Sequence, residues 1–235
     1  KSVWSPRAQV DKRVYEKNVS GYVLKHKNIK LQEGEVVDVL VINNQVTGVV
    51  LRGGEKISSK TVVLTCGTFL NGLIHVGQKK IRAGRMGESG AEGITESLSS
   101  WGFVSGRLKT GTPPRLDKNS INWSKTDLAS GDKTPTPFSY QTTSFSPPNV
   151  PCHTTKTGID CKNIISENLD KSPMFSGDVG GVGPRYCPSI EDKIYRFGHH
   201  DSHLLFLEPE WTNSDQIYLN GFSTSLPEHI QLKAL

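Results

Sequence analysis

Cysteine and methionine are scarce in this chain, at four and two residues of 235. Cys66, Cys152, Cys161 and Cys187 make no Cys-x-x-Cys pair and no tight framework, which argues against a disulfide scaffold and suits reduced thiols in a reducing compartment. No apolar run approaches membrane-spanning length and no signal peptide precedes the first element, so no membrane association is expected. Internal repeats are absent as well. Neither charge sign dominates: 28 Lys and Arg against 23 Asp and Glu leave +5, which permits a polyanionic partner and is equally met by a solvated basic surface. A hydrophobic fraction of 34% with 8% aromatics provides for at least one real core, in one large domain or two small ones. A start at Lys1 rather than Met, directly before a helix, reads as a piece of a longer chain.

Ser5-Pro6 has the form of an N-cap followed by proline at the first helical position, and the pattern through Ala8, Tyr15, Val19, Tyr22 and Val23 predicts a helix to about His26. Strands are expected at 29–31, 35–42, 45–52 and 56–59, with Asn43-Asn44 and Gly53-Gly54 as turns, so this is a meander of hairpins. The unbroken apolar run 61–65 predicts a strand buried on both faces, as in a parallel sheet, with a ligand near its carboxyl end. Between 71 and 93 glycine is frequent and Lys79, Lys80, Arg82 and Arg85 cluster, which fits a flexible loop that meets phosphate or simply a solvated one. A short helix at 94–101 stops at Gly102, and Phe103-Val104 starts a strand. Arg107, Lys109 and Arg115 lie in a Thr- and Gly-containing segment that suits an anion or a nucleotide backbone, without phosphate-loop spacing. Seven of the thirteen prolines fall between Pro113 and Pro151, a long connection. Beyond it, helices are expected at 161–169 and 189–197, strands at 204–207 and 216–219, and a last helix with a Ser225/Glu228 capping box. His199-His200-x-x-His203 invites a metal, but no carboxylate or cysteine stands at a familiar spacing, and a polar turn is the expectation.

The most informative stretch is Gly183-Pro184-Arg185-Tyr186-Cys187-Pro188-Ser189-Ile190-Glu191-Asp192-Lys193-Ile194-Tyr195-Arg196-Phe197. Ser189 and Asp192 resemble a capping box, with Ile190, Ile194 and Phe197 at helical spacing, so a helix starts just after Cys187. Its dipole, with Arg185, Lys193 and Arg196 nearby in sequence, favours a thiolate. A small buried side chain at the start of a helix fits the same residues, and on local physics alone that is the expectation.

Six colinear stretches resemble the MnmG (GidA) family. They are Arg-Ala-Gln at 7–9, Val-Val-Leu-Thr-x-Gly-Thr-Phe at 62–69, Gly-Arg-Leu-Lys-Thr-Gly-Thr-Pro-Pro-Arg at 106–115, the motif at 183–197, Phe-Leu-Glu-Pro-Glu at 206–210 and Asn-Gly-x-Ser-Thr-Ser-Leu-Pro at 220–227. The resemblance implies an α/β chain, part of a glutathione-reductase-like FAD-binding fold with a β-meander and an inserted α/β domain. Residues 1–72 would be the second part of the FAD-binding domain, and 73–235 the inserted domain on the NADH and substrate side, with 204–235 leading back toward the FAD domain. It further implies FAD and NADH as cofactors and methylenetetrahydrofolate as one-carbon donor. The substrate would be tRNA, modified at carbon 5 of the wobble uridine with a carboxymethylaminomethyl-type group. The GTPase MnmE would be the partner, in a heterotetramer around a homodimer, and the location cytoplasmic, or mitochondrial in a eukaryote. Cys187 matches the later of two catalytic cysteines, Gly183 to Phe197 the nicotinamide segment, and Val36 a backbone contact to the FAD adenine. The family's amino-terminal Gly-x-Gly-x-x-Gly, early cysteine and helical tail have no match here, so the fragment alone is expected to be inactive. A folate-dependent tRNA uridine methyltransferase of the TrmFO type and a non-catalytic tRNA-binding module are the alternatives.

Overall fold

Two asparagines set the first sheet. In the computed structural model, which describes residues 7–85, 87–176 and 188–235, Asn43 and Asn44 have φ of 50° and 61°. A two-residue hairpin needs such a left-handed pair to match the twist of its strands. They join β1 (Val36–Ile42) to β2 (Gln45–Leu51), and β3 (Lys56–Ser58) follows across a turn in which Gly54 has φ 87°. The meander is thus as expected, an antiparallel sheet in the order β1-β2-β3. Residues 29–31 form no strand.

Helix α1 (Lys12–Lys25) begins later than Ser5-Pro6 predicts. Ser5 and Pro6 lie outside the described residues, and Asp11 is the cap, its Oδ1 accepting from the N–H groups of Arg13 and Val14 at 3.0 Å each. Asp11 wins the role because its other oxygen also accepts the Thr212 N–H at 2.7 Å, tying the helix start to a distant loop. Helix α2 (Ile94–Ser100) ends before Gly102, whose φ is 86°. It docks on β1 through Ser97, whose Oγ donates to Asp38 at 2.5 Å and accepts the Val39 N–H at 3.1 Å.

The run 61–65 corrects a prediction. It forms no strand among the described residues, and Val63 is 83% exposed. A continuous apolar run becomes a doubly buried strand only where other elements cover both faces. Here Val62 and Leu64 line an open apolar cleft of about 350 Å³ with Val39, Val41, Leu98 and Trp101, and Val63 faces away from it. Phe103 and Val104 are likewise exposed and irregular rather than a strand. The basic segment near residue 80 is not a loop but a hairpin, β4 (Leu73–Val76) and β5 (Lys79–Arg82).

The larger sheet is antiparallel throughout and assembles from both ends of the remaining chain. Its strands are β6 (Arg115–Asp117), β7 (Asp127–Ala129), β8 (Cys152–Lys156), β9 (Leu204–Pro209) and β10 (Gln216–Asn220), in the order β6-β10-β9-β8-β7. Alternation points Leu205, Leu207, Ile217 and Leu219 to one face. Helices α3 (Ile159–Ser166), α4 (Ile190–Arg196) and α5 (Glu228–Ala234) supply Ile165, Ile190, Ile194 and Ile230 to the same core, with Phe222 and Leu226 between them. Helix α4 starts where the capping box predicts, Ser189 Oγ accepting the Asp192 N–H at 3.1 Å. Helix α5 is also in place, but Ser225 is not its cap. Pro227 holds the N-cap position without a side-chain bond, because the Ser225 hydroxyl is bonded instead to Ser172 at 3.0 Å. The architecture is therefore mixed α/β with small antiparallel sheets. The hairpin β4–β5 reaches this second unit through the Gly77 N–H, which donates to Ser225 O at 2.8 Å.

Candidate functional site

Three stretches far apart in sequence meet at one buried carboxylate, and a fourth joins them through the backbone of Thr224. Glu191, in the first turn of α4, has no solvent exposure. Its Oε1 accepts from Ser172 Oγ at 3.1 Å, Thr224 Oγ1 at 3.0 Å and Ser225 N at 3.0 Å. Three donors converging on Oε1 offset part of the cost of burying a carboxylate, while its Oε2 is buried without a hydrogen-bond partner among the described residues. Thr224 also exchanges backbone hydrogen bonds with Thr112, at 3.1 and 3.3 Å. Beside it, a side chain on Gly111 would come within 2.5 Å of Thr224 N, so only glycine lets these two backbones approach. The segment 106–115, the helix after Cys187 and the segment 220–227 are thereby one polar knot.

A second set of carboxylates stands on the sheet face turned away from the core. Glu208 and Tyr218 are cross-strand partners, as are Phe206 and Asn220, so all four share that face. Glu208 Oε1 accepts from Arg7 Nη2 at 2.9 Å and Asn220 Nδ2 at 3.2 Å, with its side chain only 5% exposed. Glu210 pairs with Lys12 and, at 2.8 Å, with Arg115. Burial alone would raise the Glu210 pKa, but the hydrogen bonds from Lys12 and Arg115 outweigh it and hold the group below its ordinary value. The Arg115 guanidinium also lies over the Tyr218 ring, 4.7 Å from its centre.

The predicted site residues are distributed as follows. Cys187, with Gly183, Pro184, Arg185 and Tyr186, lies outside the described residues. Pro188 is exposed, while Ser189, Ile190, Glu191 and Ile194 are buried. Lys193 Nζ donates to Gly221 O at 2.7 Å, Asp192 pairs with Arg196 at 3.4 Å, and Tyr195 meets the Phe175 ring edge-on at 5.4 Å. Phe197 ends the helix, partly exposed. Val36 opens β1 opposite Leu51. Arg107 donates to Asn71 O at 2.7 Å and Lys109 to Met174 O at 3.0 Å, so these cations, like Arg115, already brace the fold. Sequence reasoning named Glu191 only within the segment assigned to the nicotinamide cofactor, and Glu208 and Asn220 only as letters of motifs. The usable signal was an acidic residue interrupting an apolar strand at 204–209.

Among the described cysteines the environment discourages thiolate formation at two. Burial pushes the Cys161 thiol up to about 11, and burial followed by the Glu208 charge raises Cys152. His203 is pushed the opposite way, its pKa lowered by burial and then by Lys193, His200 and Lys162. Among the described residues, no three His, Cys, Asp or Glu side chains are placed to share a metal ion, and no helix is long and apolar enough to cross a membrane.

Comparison with known proteins covers the whole chain. The family model described as "Glucose inhibited division protein A" matches residues 1–235. A relative from Karelsulcia muelleri, called tRNA uridine 5-carboxymethylaminomethyl modification enzyme MnmG, is 46% identical over 234 residues, 100% of this chain and 38% of the relative. One of the same name from Chlorobium phaeobacteroides is 48% identical over 98% of this chain and 38% of its own length. The solved structure of Aquifex aeolicus GidA in its form I crystal superposes with a TM-score of 0.89 at 44% identity, covering 100% of this chain and 40% of that one. The chain thus spans about 38% of the length of the curated relatives it matches.

Proposed function

The chain belongs to the glucose inhibited division protein A family, and from that premise we propose that it is part of a tRNA uridine modification enzyme. The reaction would place a carboxymethylaminomethyl-type group on carbon 5 of the wobble uridine, in concert with the GTPase MnmE. The observation that carries this reading is the meeting of segments 189–197 and 220–227 at Glu191, with 106–115 joined to Thr224 by backbone hydrogen bonds and 206–210 in the same core through Leu207. Residues that define the family in sequence are neighbours in space, as the walls of one site must be.

Uracil carbon 5 is a poor nucleophile until a group adds at carbon 6 and makes the ring an enolate. A thiolate does this well. Cys187, two residues before the cap of α4, is assigned to that addition or to handling the one-carbon unit, with a second cysteine of the whole enzyme in the other role. Gly183 to Phe197 is assigned to the nicotinamide side. Arg107, Lys109 and Arg115 would hold phosphates flanking a wobble base splayed out of the anticodon loop.

The described residues fit FAD only in part. The open cleft beside β1 suits a flat apolar ring, and the adenine contact is assigned to Val36. No glycine-rich strand-to-helix turn among the described residues offers its N–H groups to the pyrophosphate. When bound, the flavin and NADH supply reducing chemistry and methylenetetrahydrofolate supplies carbon. Cys187→Ser in the whole enzyme is expected to abolish tRNA modification while FAD stays bound, as read by nucleoside analysis and the flavin spectrum. Undiminished modification would refute the assignment.

A further inference from the structure

We infer that the connection between β7 and β8 is a contact for single-stranded RNA, in which Phe138, Tyr140 and Phe145 stack on unpaired bases. The three rings are 63%, 107% and 43% exposed. None of them meets another ring among the described residues. Single exposed apolar side chains are ordinary on a protein surface, but three bare aromatics on one connection leave ring faces to water that stacked bases would cover. The loop is built to hold them out. Its ends are tied by the Gly131 N–H, which donates to Asn149 Oδ1 at 3.1 Å, just beyond the pairing of Ala129 with Cys152. Ser139 sets a turn at Tyr140, its carbonyl accepting the Thr142 N–H and its hydroxyl the Gln141 N–H, each at 3.2 Å. Pro135 and Pro137 precede the rings and Pro147 and Pro148 follow them, which restricts φ there and lowers the entropy lost when a ligand orders the loop.

Composition chooses RNA over a protein partner. Between Gly131 and Asn149 there is no Ala, Val, Leu, Ile or Met, so the rings have no aliphatic neighbours in the loop with which to form the packed apolar centre of a protein interface. Ser139, Thr142, Thr143 and Ser144 stand between the rings instead, and such hydroxyls bond phosphates and ribose 2′-OH groups. From Lys133 to Ile159 there is no Asp or Glu, although the chain carries 23 among its 235 residues, so the loop sets no carboxylate of its own against a phosphate backbone. The exposed Lys133 and Lys156 add charge that attracts one. A paired helix hides its base faces, so the ligand is a loop or an unstacked end. That this RNA is the tRNA of the reaction rests on the function proposed above.

The test is the tRNA affinity of the whole enzyme and of its Phe138→Ala, Tyr140→Ala, Phe145→Ala and Tyr140→Trp variants over a range of salt. Each alanine variant is expected to bind at least about fivefold more weakly, the loss of one stacked base. The slope of log Kd against log salt should stay the same, because a ring releases no counterion. Tyr140→Trp is expected to keep the affinity, since a larger ring still stacks. Unchanged affinity in the alanine variants overturns the contact, and so does a Tyr140→Trp variant as weak as Tyr140→Ala. Unchanged affinity with an altered oligomeric mass in sedimentation gives the loop to a protein partner and overturns it too. A second measurement needs no variant to fold: tRNA, but not a duplex RNA of the same length, should shield Tyr140 from nitration by tetranitromethane, and equal nitration with and without tRNA overturns the contact. If the unsubstituted enzyme binds no tRNA, the functional reading fails. If it binds and the rings are indifferent, this contact alone fails.

Discussion

At the scale of single residues, burial decides which polar groups matter. Glu191→Ala would leave two hydroxyls and one backbone N–H facing a dry cavity without an acceptor. At roughly 1–3 kcal/mol for each unsatisfied group, partly relieved by rearrangement, a loss of about 3 kcal/mol is expected in urea unfolding. Arg82→Ala breaks an ion pair with Glu92 whose side chains are 83% and 53% exposed, and should cost under about 1 kcal/mol. Equal losses would show that Glu191 is no hub. Sequence could not rank these two, because an acidic residue in a first helical turn reads as a complement to the helix dipole whether it is wet or dry. Glu208 was hidden in the same way, since its partner Arg7 is 201 positions away.

At the scale of elements, the legible parts were those governed by neighbours in the chain. The Asn43-Asn44 turn, the Ser189 cap and the stop at Gly102 each depend on backbone dihedrals and bonds within about four residues. The strands β6 and β7 were not legible, being three residues each within a proline-rich stretch, and their pairing is supplied by strands far along the chain. Helix α2 depends on a feature of both kinds. Gly93 precedes it at φ 106°, and a Cβ there would lie 2.5 Å from Val37 O. Gly93→Ala is therefore expected to cost about 2 kcal/mol or more, and to loosen the bond between Ser97 and Asp38. Thermal unfolding followed by circular dichroism reads the loss, and an unchanged midpoint would contradict the close approach.

At the scale of the molecule, α1 buries none of its residues and is held to the larger sheet by polar contacts near its start. Asp11 is held down to about 2, first by the Thr212 N–H and then by that of Val14. Glu210 is also lowered, its bonds to Lys12 and Arg115 overcoming burial. A carboxylate whose folded pKa lies below its unfolded value of about 3.9 stabilises the fold above that pH and loses the contribution as pH falls through the folded value. Amide protection at Val14 and Tyr15, taken relative to the intrinsic exchange rate at each pH, should thus hold from neutral pH to about pH 4 and fall toward pH 2. Protection unchanged at pH 2 would mean that α1 is held by something else. The sequence by itself determined the Asn43-Asn44 turn, the Ser189 cap with the helix after Cys187, and the family, because these rest on short-range backbone chemistry and on motifs read in order. Only the tertiary structure decided that Glu191 is dry, that Glu208 stands beneath Arg7 and Asn220, and that 61–65 is not a strand. Burial and hydrogen-bond partnership are set by what long-range packing brings alongside, and no stretch of sequence carries that information alone.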